Sequence, residues 1–168
     1  AFWDDLFSTF VNVICFSIMG FAMRINFVDV ITDGSLRNEY RNGKVMGYAF
    51  DVRLSCYRGH FLSTINQLEV TVDGESVPEE HITFCLNGKE LSINQAKEAY
   101  TEFWQLLDPA VIRVHKPGGL VAGSHDIDLK LMLRVPYLPL PGSDNDHTYM
   151  PLDCSGSKRL EVIERGDF

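Results

Sequence analysis

Hydrophobic and polar residues alternate with a period of two along three segments of the chain, residues 45–54, 68–72 and 125–135. A period of two places every second side chain on the same face, which is the pattern of a β-strand with one buried face. Segment 125–135 alternates most cleanly. Its predicted buried positions are Ile127, Leu129, Leu131 and Leu133, and its predicted exposed positions are Asp128, Lys130 and Arg134.

Shorter apolar runs predict further strands at residues 27–31, 81–86 and 110–115. A weaker alternation at residues 158–163 predicts an edge strand. Asn-Gly and Asp-Gly pairs favour tight turns, because both residues of each pair tolerate a positive φ. Such pairs stand at the ends of predicted strands, at Asn42-Gly43, Asp73-Gly74 and Asn87-Gly88.

Residues 92–106 do not alternate with a period of two. Apolar residues recur there at helical spacing, and Ser92 suits the N-cap position of a helix. The segment therefore predicts one short amphipathic helix that includes Trp104. Further along, three prolines exclude a central strand over residues 136–141, because proline cannot donate a hydrogen bond to a ladder.

Many short strands, with turn signals about every ten residues, are typical of an all-β sandwich. The pattern predicts such a sandwich, either immunoglobulin-like or jelly-roll, with one short helix. The chain has 168 residues, which is the size of one domain. A domain of this size buries enough surface to fold without disulfides or a structural metal.

The N-terminal stretch has a different character. Residues 6–23 carry no charged side chain, and this length touches the lower limit for a membrane span. Polar residues interrupt the stretch and no basic segment precedes it, which disfavours a span and a signal peptide. We expect residues 1–22 to extend a domain of residues 23–168. They are either sequence translated upstream of a start at Met23, an apolar segment packed on the domain, or a membrane or export segment.

The charge and the cysteines narrow the class of protein. A formal net charge of −8 disfavours nucleic acid as a partner, because phosphate binding needs a surplus of Lys and Arg. The four cysteines form no CxxC pair, and Cys85 lies in an apolar run. We expect reduced thiols and a cytoplasmic protein. The alternative, a secreted domain, would need a disulfide among Cys56, Cys85 and Cys154, with one thiol left over.

The sequence lacks several common nucleotide-binding and catalytic motifs. It contains no P-loop, GxGxxG, GxSxG or HExxH pattern. A metal site could gather His60, His125 and a carboxylate from separate strands, as in cupin-like jelly rolls. Without a clustered HxH motif we favour loop histidines that bond to the backbone. The sequence therefore predicts no catalytic, cofactor-binding or metal-binding residue in this chain.

Two segments have the composition of a docking surface. Residues 57–60 form a polar and aromatic turn at the end of a predicted strand, where the planar guanidinium of Arg58 suits a carboxylate across an interface. A solvated turn is the alternative. The apolar, proline-stiffened residues 137–140 and 149–151 either cover a sheet edge or dock against another chain. The predicted partner interface comprises Tyr57, Arg58, His60, Tyr137, Tyr149 and Met150.

The order of several short motifs is similar to a known family. The motifs are, in order, GYAFDVRL at 47–54, YRG at 57–59, LEVTVDGE at 68–75, KPGGL at 116–120 and GSH at 123–125. Their order and spacing resemble the β subunit of bacterial C-glycoside deglycosidases. The resemblance covers about residues 24–163, nearly everything after Met23.

The resemblance implies a small β-sandwich that forms a hetero-oligomer with a larger catalytic α subunit. That α subunit is a TIM barrel similar to sugar isomerases, and it carries a divalent metal, usually manganese, together with the acid and base residues. The complex cleaves the carbon–carbon bond between an aromatic aglycone and a sugar oxidised at C3. The family's catalytic residues lie on the α subunit, so none is assigned to this chain.

A stand-alone carbohydrate-binding or interaction module is the alternative function. Sandwiches that bind sugars present a row of exposed aromatic residues on one face. Here Trp104 falls in the predicted helix, and the aromatic residues of the predicted strands alternate inward. This distribution favours the partner-subunit hypothesis.

Overall fold

The computed structural model describes residues 14–16, 23–25, 28–139 and 149–163 of the chain. These residues form two β-sheets packed face to face, a two-stranded ribbon and one short helix, which confirms the predicted mainly-β sandwich. The strands are β1 Ile14–Phe16, β2 Met23–Ile25, β3 Arg37–Arg41, β4 Lys44–Val52, β5 His60–Phe61, β6 Ile65–Val72, β7 Glu75–Ser76, β8 Ile82–Leu86, β9 Lys89–Ser92, β10 Phe103–Trp104, β11 Ala110–His115, β12 Ser124–Pro139, β13 Tyr149–Asp153 and β14 Gly156–Glu161. The helix is α1 Ile93–Lys97, and single 3-10 turns span Leu62–Thr64 and Glu79–His81.

The five-stranded sheet has the order β3-β4-β11-β8-β9 and is antiparallel throughout. Two of its hairpins close through Asn-Gly turns. Asn42 has a φ of 53° and Gly43 a φ of 75°, which is the pair of positive values that a type I′ turn requires. Asn87 and Gly88 repeat this geometry. The predicted turns are therefore confirmed, and they set the register of this sheet.

The seven-stranded sheet is built around β12. Its order is β1-β2-β13-β12-β6-β7, with β14 also paired to β12. β14 pairs with the first half of β12 and β13 with the second half, so the two short strands follow one another along the same edge. They meet at residue Cys154, whose N–H donates to the Leu131 carbonyl, and the Leu131 N–H donates to Ser155 Oγ. The predicted edge strand at the C-terminal end is confirmed.

The core lies between the inner faces of the two sheets. All four predicted inward positions of β12 are buried, namely Ile127, Leu129, Leu131 and Leu133. Of the predicted outward positions, Asp128 and Lys130 are exposed and Arg134 is half-buried. The facing sheet contributes Tyr48, Phe50, Phe84 and Ile112, all buried. Period-two alternation therefore predicted both the strands and the face on which the core forms.

The predicted helix is much shorter than expected. Ser92 caps it through a capping box with Gln95, as the sequence suggested, but the helix ends at Lys97. Residues Phe103 and Trp104 are strand β10, paired with β5. The prediction of a helix through Trp104 is wrong, because tertiary packing of the Trp104 ring against the core overrides the local spacing.

One further strand prediction is corrected. Val28 and Val30 lie in bends, and Ile31 makes a single bridge to Val52, so the strand predicted over 27–31 does not form in the described part of that segment. β12 continues through Pro136 to Pro139, where it is not a central strand, in agreement with the expectation from the prolines. Among the described residues, β6 makes its last pairing with β12 at Leu133, so the later part of β12 pairs only with β13. Its prolines therefore interrupt no described ladder on the other side. None of the described helices is long and apolar enough to cross a membrane.

Candidate functional site

The predicted docking turn joins β4 to β5. It is fixed from beneath by Cys56 and His60, whose Sγ and Nε2 atoms lie 3.3 Å apart. Gly59 lies so close to β10 that a Cβ atom there would approach the Trp104 carbonyl oxygen to 2.6 Å. This close packing turns the neighbouring residues outward, so Arg58 is exposed and Tyr57 is 46 % exposed.

His60 lies beneath the surface and not on it. Its side chain is only 4 % exposed, so the prediction that it contributes to an exposed interface needs correction: it supports the turn from inside. Burial lowers the pKa of His60, with the nearby Arg58 charge second. Burial raises the pKa of the Cys56 thiol. An activated cysteine needs a lowered thiol pKa and a positively charged neighbour such as a protonated histidine. The pKa shifts of Cys56 and His60 run in the opposite direction, so their contact is a structural hydrogen bond.

The described residues of the second predicted docking segment lie on β12 and β13, and residues 140–148 lie outside the described part of the chain. Tyr149 and Met150 are half-buried, and Met150 packs against the core, whereas the side chain of Tyr137 lies outside the described residues. Arg134 on β12 donates to the Ser63 carbonyl oxygen at 2.7 Å, in the 3-10 turn that directly follows β5. This contact places both predicted docking segments at the same end of the sandwich.

A cavity of about 400 Å³ lies at the opposite end. Tyr48 lines this cavity. The lining also includes five charged or imidazole side chains, those of Asp73, His81, His115, Lys116 and His125. Burial, with the Asp73 charge second, raises the pKa of Tyr48 to about 12, so the phenol remains a neutral hydrogen-bonding group. His81 and His115 approach edge to face, with ring centroids 6.4 Å apart.

His125 clamps three segments of this end together. Its Nδ1 lies 2.5 Å from Asp73 Oδ2, and its Nε2 lies 2.7 Å from the carbonyl oxygen of Val121. Both partners are hydrogen-bond acceptors, so both ring nitrogens must donate, and only the imidazolium can do so. The second oxygen of Asp73 accepts the N–H of Asp126 at 2.8 Å. The clamp therefore joins the β6–β7 turn, the loop after β11 and the start of β12.

The two histidines considered for a metal site are far apart. His60 precedes β6 and the Asp73 that binds His125 follows it, so the eight residues of β6 separate them by about 26 Å at the rise of a strand. Within the described ranges, no group of three or more His, Cys, Asp or Glu side chains is arranged to hold a metal ion. The clamp itself was not predicted, because no sequence signal links Asp73 with a histidine so distant in the chain.

Comparison with known proteins gives the family. The family model described as "C-glycoside deglycosidase beta subunit" matches residues 27–137, well over half of the chain. This chain belongs to the C-glycoside deglycosidase beta subunit family. The matched residues of this family include both the docking turn and the Asp73–His125 clamp.

Individual relatives are named as beta subunits of deglycosidases. The C-glycoside deglycosidase beta subunit of Eubacterium cellulosolvens is 35% identical over 116 residues, which are 66% of this chain and 79% of that protein. The 3'-dehydrocarminate deglycosidase beta subunit of a Microbacterium species is 38% identical over 119 residues, 70% of this chain and 85% of that protein. A beta subunit from Microbacterium trichothecenolyticum is 28% identical over 137 residues, 80% of this chain and 95% of that protein.

The Asp73–His125 clamp predicts how the stability of this protein depends on pH. The hydrogen bonds to Asp73 and then to Val121 raise the pKa of His125. A raised pKa means that the clamp stabilises the fold fully below about pH 6.5, the unfolded value. The stabilisation is lost as pH rises through the folded pKa. We expect His125→Gln to lower the melting temperature at pH 6.0 and to differ much less from the wild type at pH 9.0.

Asp73→Asn is the matched variant for this test. It keeps an oxygen to accept the Asp126 N–H but removes the charge that favours the imidazolium. Thermal melts from pH 5.5 to 9.0 should show the pH dependence reduced in both variants. An unchanged pH dependence in His125→Gln would show that His125 does not titrate as a clamp.

Proposed function

We propose that this chain is the non-catalytic β subunit of a C-glycoside deglycosidase and assembles with a metal-dependent α subunit. Family membership carries this proposal. Two relatives at 35% and 38% identity are named as beta subunits of deglycosidases, and the matched region spans most of each of them. A chain of this kind acts through the subunit on which it docks.

The proposed reaction takes place on the α subunit. A ketone at C3 of the sugar acidifies the proton at C2, so a general base can remove that proton. The electron pair then forms the C1–C2 double bond while the bond from C1 to the aglycone breaks, and the aglycone carbon takes up a proton. From the resemblance to the family, we assign the divalent metal, manganese, and the acid–base residues to the α subunit, a TIM barrel similar to sugar isomerases.

The role proposed for this chain is to stabilise and shape the active site of its partner. Its docking surface is proposed to include the exposed turn with Tyr57 and Arg58, together with Tyr149 and Met150 on β13. Arg134, which pairs with Pro151 of β13, donates to the Ser63 carbonyl oxygen just beyond β5, so the two segments lie near one another and a single partner can reach them together. The free thiols of Cys56, Cys85 and Cys154 are consistent with a reducing compartment, and we propose a cytoplasmic complex.

The purified subunits test this proposal. The chain alone should release no aglycone from a 3-oxo-C-glucoside, with or without added manganese. When it is mixed with its cognate α subunit, the two should co-elute in size-exclusion chromatography and release aglycone, measured by liquid chromatography. The α subunit alone with manganese is the control, and we expect it to be less active than the complex.

Two results would contradict the partner-subunit role. Release of aglycone by the isolated chain would show that it is itself catalytic. Failure to bind the α subunit, combined with binding of a free glycoside in calorimetry, would instead favour the alternative of a stand-alone carbohydrate-binding module.

A further inference from the structure

The ribbon of β5 and β10 carries aromatic side chains on both faces. Its inner face carries His60 and Trp104, which are paired across the ribbon and buried. Its outer face carries Phe61 and Phe103, also paired, with ring centroids 5.0 Å apart and planes at 73°. A surface ribbon with one solvated face normally alternates apolar and polar residues. Here Phe61 is 45 % exposed, so the ribbon presents aromatic surface where polar residues are expected.

Neighbouring residues extend this apolar surface. The turn before β5 lies against the ring of Phe103, since a Cβ atom on Gly59 would come within 2.7 Å of it, and the same turn presents Tyr57. Leu107 lies four residues after Phe103, in the turn that follows β10, and is 92 % exposed. We define the aromatic ridge as Tyr57, Phe61, Phe103 and Leu107. Exposed apolar patches of this kind mark interaction sites on soluble domains.

The outer face of the five-stranded sheet has a different character. Arg37 pairs with Asp51 at 3.1 Å and with Glu39 at 3.5 Å. Arg113 lies near Glu39 and also contacts Glu90. These ion pairs cover the face with charged groups that pair within the chain. Apolar surface suited to burial is therefore offered by the ridge and not by this face.

We infer that the aromatic ridge is the anchor by which this chain docks onto the catalytic α subunit of its deglycosidase, an inference that rests on the proposed function. A subunit must bury part of its surface against its partner, and aromatic residues are enriched at the centres of interfaces. The ridge is continuous with the docking turn through Tyr57, so one partner surface covers both. That surface must be an apolar groove on the α subunit that accepts the Phe61 ring and the Leu107 side chain.

A matched pair of charge substitutions tests the inference. Leu107→Glu places a carboxylate on the ridge, and Val121→Glu places one at the opposite end, since the two residues flank β11, about 20 Å long. Val121 is 80 % exposed, so neither change disturbs the core. With purified cognate α subunit in biolayer interferometry, we expect Leu107→Glu to weaken binding by about 100-fold or more, because the carboxylate would be buried in an apolar contact. Val121→Glu should stay within about threefold of the wild type.

Phe61→Ala gives an independent measurement on the same ridge. It should weaken binding by about tenfold or more, as expected for an aromatic anchor. Binding of both Leu107→Glu and Phe61→Ala at wild-type affinity would overturn the inference and leave the proposed function intact. A wild-type chain that does not bind the α subunit would instead overturn the proposed function. A third result, in which Leu107→Glu only converts a dimer of this chain to a monomer in analytical ultracentrifugation, would assign the ridge to self-association and also overturn the inference.

Discussion

Replacing Trp104 by alanine is expected to lower the free energy of unfolding by about 3–5 kcal/mol. The Trp104 side chain is only 1 % exposed and meets the Phe84 ring edge to face, with centroids 5.3 Å apart. Its Nε1 donates a hydrogen bond to the Asp108 carbonyl oxygen at 2.9 Å. Alanine removes the ring contacts and the donor, and it leaves a cavity between the ribbon and the five-stranded sheet.

Trp104→Phe separates the two contributions of this residue. Phenylalanine keeps an aromatic ring against Phe84 but cannot donate to Asp108, so we expect a cost of about 1–3 kcal/mol. Urea denaturation followed by circular dichroism measures both variants. If Trp104→Ala cost no more than Trp104→Phe, the ring would not be packed in the core as described.

Substitution of Gly47 by alanine is expected to cost about 3 kcal/mol or more. Gly47 pairs with His115 across the β4–β11 ladder, beside a register shift in the β3–β4 pairing. A Cβ atom at this position would lie 2.0 Å from the Val114 carbonyl oxygen. That oxygen belongs to the backbone of a central strand, so the clash cannot be relieved by rotating a side chain.

Gly43→Ala is the control, because Gly43 has a φ of 75° but has open space around it. Strain from a left-handed backbone alone costs about 1–2 kcal/mol. The difference between the two variants in chemical denaturation therefore reports the clash. Equal costs at the two glycines would show that β4 and β11 can separate enough to accept a methyl group.

The strands could be predicted where one local signal determined them. Ile127 and Leu129 are buried and the intervening Asp128 is exposed, because a strand at the surface of a core must alternate. The Asn42-Gly43 turn was equally predictable, since its positive φ values depend on two adjacent residues. Trp104 was assigned wrongly because its spacing from the helix residues fits a helix, and only the distant Phe84 ring selects the strand.

The candidate site was less predictable than the fold. Residues 57–60 stood out as an unusual polar cluster, but no local pattern indicated that His60 turns inward while Phe61 turns outward. That difference arises from the pairing of β5 with β10, two strands of two residues each, which are too short to show a period. The Asp73–His125 clamp is likewise a contact between distant segments, and no local pattern encodes it.

The pairing of β6 with the much later strand β12 has a consequence for synthesis on the ribosome. The five-stranded sheet consists of residues 37–115, so it can form while the rest of the chain is still emerging. β6 lies within that span, yet its ladder partner begins only at Ser124. Such non-local pairing is slow, and an unpaired strand exposes its edge to other chains. A ribosome stalled before Ser124 would hold a nascent chain in which β6 lacks its β12 partner, and a chaperone could bind that edge.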